Sequence, residues 1–221
     1  IGLPMEREEI IEAYMVFGGI PFYWSLLNKS LSLPQNIDSM FFGRNPKLGN
    51  EFKELYSSLF KQPEAYIGII TALAKKKIGM TRDEIIDKTH LTTNGQLTKY
   101  LEDLENCGFI RRYQSIGSKT KNSIYQLIDN FTLFYFKFIE DRKNTDAGYW
   151  SKIQMTPIFH TWSGLAFERI CLLHYKKIKK ALGINGVITS EYSWHTFANN
   201  EHCGAQIDLL IDRSDKVINL C

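Results

Sequence analysis

One segment constrains the fold more than any other, because it sets the start of a helix. In Thr81–Glu84 the threonine is predicted to be the N-cap and the glutamate to lie at N3, the reciprocal pair of a capping box. An earlier helix is predicted over Pro63–Lys76 from its apolar spacing. A third helix is predicted from a stripe of leucines at Leu97, Leu101 and Leu104. Three short helices in this order are typical of a helix-turn-helix unit.

Two alternating segments follow the third helix. Phe109–Tyr113 and Ser123–Leu127 are predicted to be strands, and the polar residues 115–122 lie between them. Helix, helix, turn, helix and a two-stranded wing together predict a winged helix-turn-helix over residues 62–128. Such a unit usually binds duplex DNA, with the third helix in the major groove and the wing across the backbone.

The charges of residues 62–128 favour DNA binding, but only in part. Its net charge equals that of the whole chain, +3. The candidate DNA contacts are Asn94, Gln96 and Lys99 on the third helix and Arg111, Arg112, Lys119 and Lys121 on the wing. Acidic residues occupy the second half of the third helix, at Glu102, Asp103 and Glu105. DNA would therefore meet only the start of this helix. The alternative is a winged helix that packs between domains and touches no nucleic acid.

Residues 1–61 are predicted to form short helices, among them Glu6–Met15 and Glu51–Phe60. Pro21 restarts the chain after a glycine pair, and Leu33–Asn36 is predicted to be a break. The chain begins at Ile1 and ends in an apolar run. We therefore expect it to be an internal piece of a longer protein.

Residues 129–221 are predicted to be a small α/β domain. A long helix is expected over Thr161–Leu182, and strands are expected at residues 187–192, 206–211 and 217–221, in a small mixed sheet. A turn at residues 212–216 should join the last two strands as a hairpin. With the two segments before it, this domain gives the chain a predicted α+β fold.

Two acidic residues of this domain are candidates for chemistry. On a helical wheel Glu168 lies at the apolar edge of the long helix, whereas Arg169 falls with three lysines on the solvated face. Asp208 lies within an apolar strand, where a carboxylate is costly unless a cation or a donor meets it. The pair could hold Mg²⁺, which prefers oxygen ligands. The alternative is a pair of structural acids with satisfied hydrogen bonds.

Composition excludes several classes of protein. With 44% hydrophobic and 23% charged residues the chain is ordered, and no apolar run is long enough to span a bilayer. The four cysteines form no C-x-x-C pair, which favours reduced thiols in the cytoplasm. The phosphate-binding pattern G-x-x-x-x-G-K-[ST] is absent, so we expect no ATP to be held in that way by these residues.

Four motifs in this order resemble the archaeal-type P-loop ATPases of the AAA+/STAND group. They are YMVFGGIPFYW (Tyr14–Trp24), the run from Leu127 to Phe136, the segment Trp162–Glu168 and the segment Gly204–Leu210. The first resembles the signature of the helical lid of the ATPase. The last two resemble a C-terminal domain similar to PD-(D/E)xK nucleases. The resemblance covers nearly the whole chain.

The resemblance implies that residues 1–61 are a lid remnant and that an ATPase module binding ATP and Mg²⁺ precedes Ile1. It also implies that Glu168 and Asp208 are the catalytic and metal-binding acids of a truncated nuclease-like domain, residues 129–221. Its E-x-K half should lie beyond Cys221, and Gln206 stands where many relatives carry another acid. We therefore expect this piece to bind no cofactor and to cut no DNA.

Two functions follow as expectations. The first is the C-terminal, DNA-contacting part of an ATP-dependent protein, with no contact to a membrane. The second is a regulatory module that binds a protein partner, or a second copy of itself, and has no DNA-binding or nuclease activity.

Overall fold

The computed structural model describes residues 5–91, 95–113, 123–141, 146–196 and 203–221, without the side chains of Ser193, His195 and Asp208. Helices and two small antiparallel sheets make up this part of the chain, in agreement with the predicted α+β class. No helix in these ranges is long and apolar enough to cross a membrane.

The helices are α1 Arg7–Phe17, α2 Pro21–Ser25, α3 Leu33–Phe41, α4 Glu51–Leu59, α5 Pro63–Ala74, α6 Arg82–Thr89, α7 Gly95–Asn106, α8 Asn130–Phe138, α9 Tyr149–Ile153, α10 Pro157–Leu173 and α11 Tyr175–Ala181. The strands are β1 Met80–Thr81, β2 Ile110–Tyr113, β3 Ile124–Leu127, β4 Thr189–Thr196, β5 Ala205–Arg213 and β6 Ile218–Leu220.

Capping boxes are found at the start of three helices, α1, α3 and α6. Thr81 accepts a hydrogen bond from the backbone N–H of Glu84, and the Glu84 carboxylate accepts one in return, as predicted. Ser32 and Gln35 form the same pair at the start of α3. The prediction of a break at Leu33–Asn36 was therefore wrong. Pro34 lies in the first turn of this helix, where the missing N–H costs nothing.

Elements α5 to β3 form a compact unit, which we call the central unit. Its helices are α5, α6 and α7, and its strands pair in the antiparallel order β1-β3-β2. The two-residue strand β1 was not predicted, because two residues are too few to show an alternating pattern. Gly79, just before β1, has φ +83° and passes against the carbonyl oxygen of Tyr125 in β3.

Aromatic side chains form the main core. Helix α8 packs on α1, and its Phe134 and Phe138 meet Trp150 of α9 and Trp162 of α10 at ring-centroid distances of 5.0–5.9 Å. Asp38 of α3 accepts hydrogen bonds from the backbone N–H groups of residues 150 and 151, which joins α3 to the start of α9. The buried cluster is continuous from α1 to α10 and includes the central unit.

The last elements differ from the predicted long helix and mixed sheet. The helix is two helices, α10 and α11, separated at His174, whose Nε2 lies 3.3 Å from the Tyr14 hydroxyl of α1. The sheet has the order β4-β5-β6 and is antiparallel throughout its described strands, so the prediction of a mixed sheet was wrong. The hairpin of β5 and β6 is confirmed. Ile184, Leu209 and Ile211 form a small second core under α11.

Candidate functional site

The first candidate surface lies on α7 and β2, and we call it the α7–β2 surface. Gln96, Thr98 and Lys99 are exposed on the first half of α7, because Leu97, Tyr100 and Leu101 take the buried positions of the helix. The amide nitrogen of Gln96 donates a hydrogen bond to the Tyr100 hydroxyl at 2.6 Å. Lys99 extends into solvent and is the cation that α7 presents.

The two arginines of β2 are both held by this chain. The Nε of Arg111 donates to the side-chain oxygen of Gln126 at 2.7 Å, and its guanidinium lies 4.8 Å from the centre of the Tyr113 ring. The Nε of Arg112 lies 4.0 Å from a carboxylate oxygen of Glu105 in α7. Neighbouring residues of a strand point to opposite faces. Arg112 therefore belongs with α7, and Arg111 with the other face of the sheet.

Three of the predicted DNA contacts, Asn94, Lys119 and Lys121, lie outside the described residues. The acidic half of α7 is described. Glu102 is exposed, Glu105 faces Arg112, and Asp103 accepts a hydrogen bond from the Tyr66 hydroxyl at 2.7 Å. Burial, and after it that hydrogen bond, raise the pKa of Tyr66 well above its usual value.

Glu168 lies in the second candidate site, a groove of about 340 Å³ that we call the α10 groove. Its walls are the end of α5 with the following lysines, two residues of β3, and the facing sides of α8 and α10. One carboxylate oxygen of Glu168 lies 3.5 Å from the Lys77 ammonium, and the side chain is 24% exposed. The predicted position at the apolar edge of the helix is confirmed, since Leu165 and Leu172 line the same groove.

Asp208 lies in β5, opposite the irregular pairing of β4 between Tyr192 and Trp194. Its side chain is outside the described part of the structure, so the meeting of Glu168 and Asp208 stays a prediction. Lys77 and Arg169 supply positive charge beside Glu168, and a Mg²⁺ ion held by Glu168 and Asp208 stays a prediction. Among the described residues no three histidine, cysteine or acidic side chains are grouped as metal ligands would be.

The sequence pattern missed two members of the α10 groove. Arg169 was placed on the solvated face, yet its Nε is buried and has no hydrogen-bond partner in the described structure. Burial lowers the pKa of this guanidinium, and the nearby Glu168 opposes that shift. Trp162 also lines the groove, and its indole N–H is buried without an acceptor. Neither was predicted to line a groove, because the facing wall comes from α8, which is distant along the chain.

Comparison with known proteins gives a distant likeness. The chain is similar to an uncharacterized protein of Methanocaldococcus jannaschii, with 26% identity over 189 residues. The match covers 78% of this chain and 40% of that relative, so the chain spans about two fifths of the relative's length. No protein-family model matches the chain, and no solved structure matches it.

Proposed function

We propose that this chain is a DNA-contacting part of a P-loop ATPase and that its central unit is a winged helix. The order of the elements carries the proposal. A winged helix has three helices and a three-stranded antiparallel sheet, with its short first strand between the first two helices. The central unit has this order, and its sheet has β3 in the middle.

In this arrangement α7 is the recognition helix and β2 begins the wing. Lys99 on the first half of α7 and Arg112 on β2, which lies beside Glu105 of α7, supply positive charge to the α7–β2 surface. The sequence between β2 and β3 adds Lys119 and Lys121. Glu102 and Glu105 keep phosphates away from the second half of α7. DNA therefore meets the start of the helix and the wing, as the sequence predicts.

The ATPase part of the proposal rests on the resemblance of Tyr14–Trp24 to the lid signature. The local structure supports a fixed shape for this segment. Gly18 ends α1 with φ +63°, which favours glycine, and its carbonyl accepts a hydrogen bond from the indole N–H of Trp24 at 2.9 Å. A nuclease-like role for residues 129–221 is part of the same resemblance.

The test is a salt titration of the affinity for a labelled duplex, followed by fluorescence anisotropy. We expect a steep negative slope of log affinity against log salt, because phosphate contacts release counterions. The double substitution Lys99→Ala and Arg112→Ala should weaken binding to all sequences alike. It should also flatten the slope by up to about two units, roughly 0.9 for each phosphate that is no longer neutralised.

The matched control is Lys29→Ala with Lys53→Ala, which removes the same charge from exposed positions outside the central unit. Equal weakening by the two double variants would overturn the proposal, and so would a flat salt dependence of the unsubstituted chain.

A second function, a regulatory module that binds a protein partner, is favoured by one observation. Both arginines of β2 already have partners within the chain, and the second half of α7 is acidic. No measurable DNA binding at low salt, together with a stable complex with a basic protein, would favour this second function.

A further inference from the structure

We propose that the α10 groove binds a small organic anion with an apolar body, such as an aromatic or medium-chain carboxylate. This site is separate from the proposed DNA surface. Its members come from α5, β3, α8 and α10, and Lys99 and Arg112 are not among them.

The charge of the groove favours an anion. Five basic residues line it against one acid, Glu168; the basic residues are Lys75, Lys76, Lys77, Lys137 and Arg169. Four of these cations are near an acid: Lys76 contacts Glu84 at 2.5 Å, Lys77 contacts Glu168 at 3.5 Å, and Lys75 and Arg169 are attracted to Glu140 and Glu168. The acids Glu84 and Glu140 do not line the groove, and its lining keeps an excess of positive charge. Lys137 projects from α8 into solvent at the rim. An anionic group of a ligand would therefore enter a positive potential.

Two residues that line the groove carry a buried donor without an acceptor among the described residues. The Nε of Arg169 and the Nε1 of Trp162 are enclosed and have no acceptor in the described structure. Buried polar groups in proteins are nearly always hydrogen-bonded, and leaving one unpaired costs free energy. An acceptor that reaches these donors removes that cost. Arg169 is only partly buried as a residue and lines the groove, so we expect a ligand carboxylate to approach its guanidinium from there.

The apolar wall and the size of the groove define the rest of the ligand. Leu133 and Phe136 of α8 face Leu165 and Leu172 of α10 across it. A volume of about 340 Å³ lies within the range of small-molecule pockets. A peptide or protein partner needs roughly 800 Å² on each side for a stable complex, which is far more surface than this groove offers. A small amphipathic anion satisfies the charge, the donors and the size together.

Isothermal titration calorimetry with 1-naphthoate tests the proposal, and 1-naphthalenemethanol serves as the neutral probe with the same rings. We expect naphthoate to bind saturably with one site per chain and the alcohol to bind at least about tenfold more weakly, as expected when a charge-assisted hydrogen bond is missing. The substitution Arg169→Gln should raise the Kd of naphthoate by about tenfold or more, for the same reason. Lys137→Ala should raise it by about threefold, as expected for an exposed charge.

Lys88→Ala is the matched control, because this exposed lysine lies on α6, outside the groove. It should leave the Kd unchanged. A thermal melt of each variant separates a loss of binding from a loss of folding, and Lys137→Ala tests the site at a position that folding does not need. Equal binding of acid and alcohol would overturn the proposal. An unchanged Kd in both Arg169→Gln and Lys137→Ala, or the absence of saturable binding, would overturn it too.

Discussion

The α7–β2 surface and the α10 groove both collect basic residues, but they differ in what those residues meet. On the α7–β2 surface Arg112 is met by Glu105 of the same chain, and on the other face of β2 Arg111 is met by Gln126. In the groove the buried donors of Arg169 and Trp162 meet no acceptor in the described structure. Positive charge along a sequence therefore does not locate an anion site by itself. Whether a cation can bind an external anion depends on the hydrogen-bond and ion-pair partners that it has within the fold.

The largest expected effect breaks both sites at once, through Gly79. A Cβ on this residue would lie 2.3 Å from the carbonyl oxygen of Tyr125, a backbone atom that cannot move aside. The next residue of β3, Gln126, holds both Arg111 and the carbonyl of Lys77. We expect Gly79→Ala to lower the free energy of unfolding by about 3 kcal/mol, measured by urea denaturation. Binding of DNA and of naphthoate should fall together.

Gly183→Ala is the control that separates two effects of Gly79→Ala, the clash of the added Cβ and the strain of a positive φ. This glycine has φ +71°, but nothing lies within 4 Å of its added Cβ. The free energy of unfolding should fall by only about 1 kcal/mol, the usual cost of a left-handed conformation for alanine. Equal destabilisation by the two substitutions would show that the close approach to β3 does not matter.

The next largest effect is a change in the free energy of unfolding when the groove residue Arg169 is replaced. Arg169→Met removes a largely desolvated guanidinium, whose Nε has no acceptor in the described structure, while keeping much of the length of the side chain. We expect the free energy of unfolding to rise by about 1 kcal/mol, because the desolvation cost disappears. Arg213→Met is the control, since Asp215 pairs with that guanidinium at 2.9 Å. A greater loss of stability for Arg169→Met than for Arg213→Met would contradict the account of the groove.

A smaller effect is expected on the α7–β2 surface. Glu105→Gln releases Arg112 from its carboxylate and removes a negative charge beside the proposed path of DNA. Duplex affinity at low salt should rise by about threefold, in line with the energy of partly exposed ion pairs. Glu54→Gln, an exposed position on α4, should change the affinity much less. A fall in affinity for Glu105→Gln would mean that DNA does not approach this surface.

The smallest effect concerns Lys76, which lines the groove but is committed to Glu84. The hydrogen bond from Lys76 lowers the pKa of Glu84, and the backbone N–H of Thr81 adds to the effect. This stabilisation is present above the ordinary pKa of 4.5 and is lost as the pH falls through the lowered value. In Lys76→Ala the pKa of Glu84 should move back up, as followed by NMR titration. If the pKa of Glu84 does not move, Lys76 is not the main cause of its lowering.

Local signals in the sequence predict much of the central unit. The capping box at Thr81 and Glu84 depends on residues three apart, so it is readable without the fold. The same reasoning could have found Ser32 and Gln35, where attention to Pro34 led to the wrong prediction of a break. A proline near the start of a helix is compatible with helix.

The α10 groove could not be predicted from local sequence patterns. Arg169 occupies a position that a helical wheel assigns to solvent, and only packing against α8 and the end of α5 encloses it. The break between α10 and α11 was not predicted either, and there His174 contacts a residue distant along the chain, Tyr14 of α1. The spacing of apolar residues predicts which side of a helix is buried, but it does not predict which other element packs against the helix.

One NMR titration tests the separation of the two sites most directly. Duplex DNA and then 1-naphthoate are added to the isotope-labelled chain, and the backbone amide shifts are followed. We expect DNA to shift the amides of Lys99 and Arg112 and to leave those of Lys137 and Arg169 in place, and naphthoate to do the reverse. Shifts of both pairs by a single ligand, or DNA shifts confined to the groove, would contradict the account.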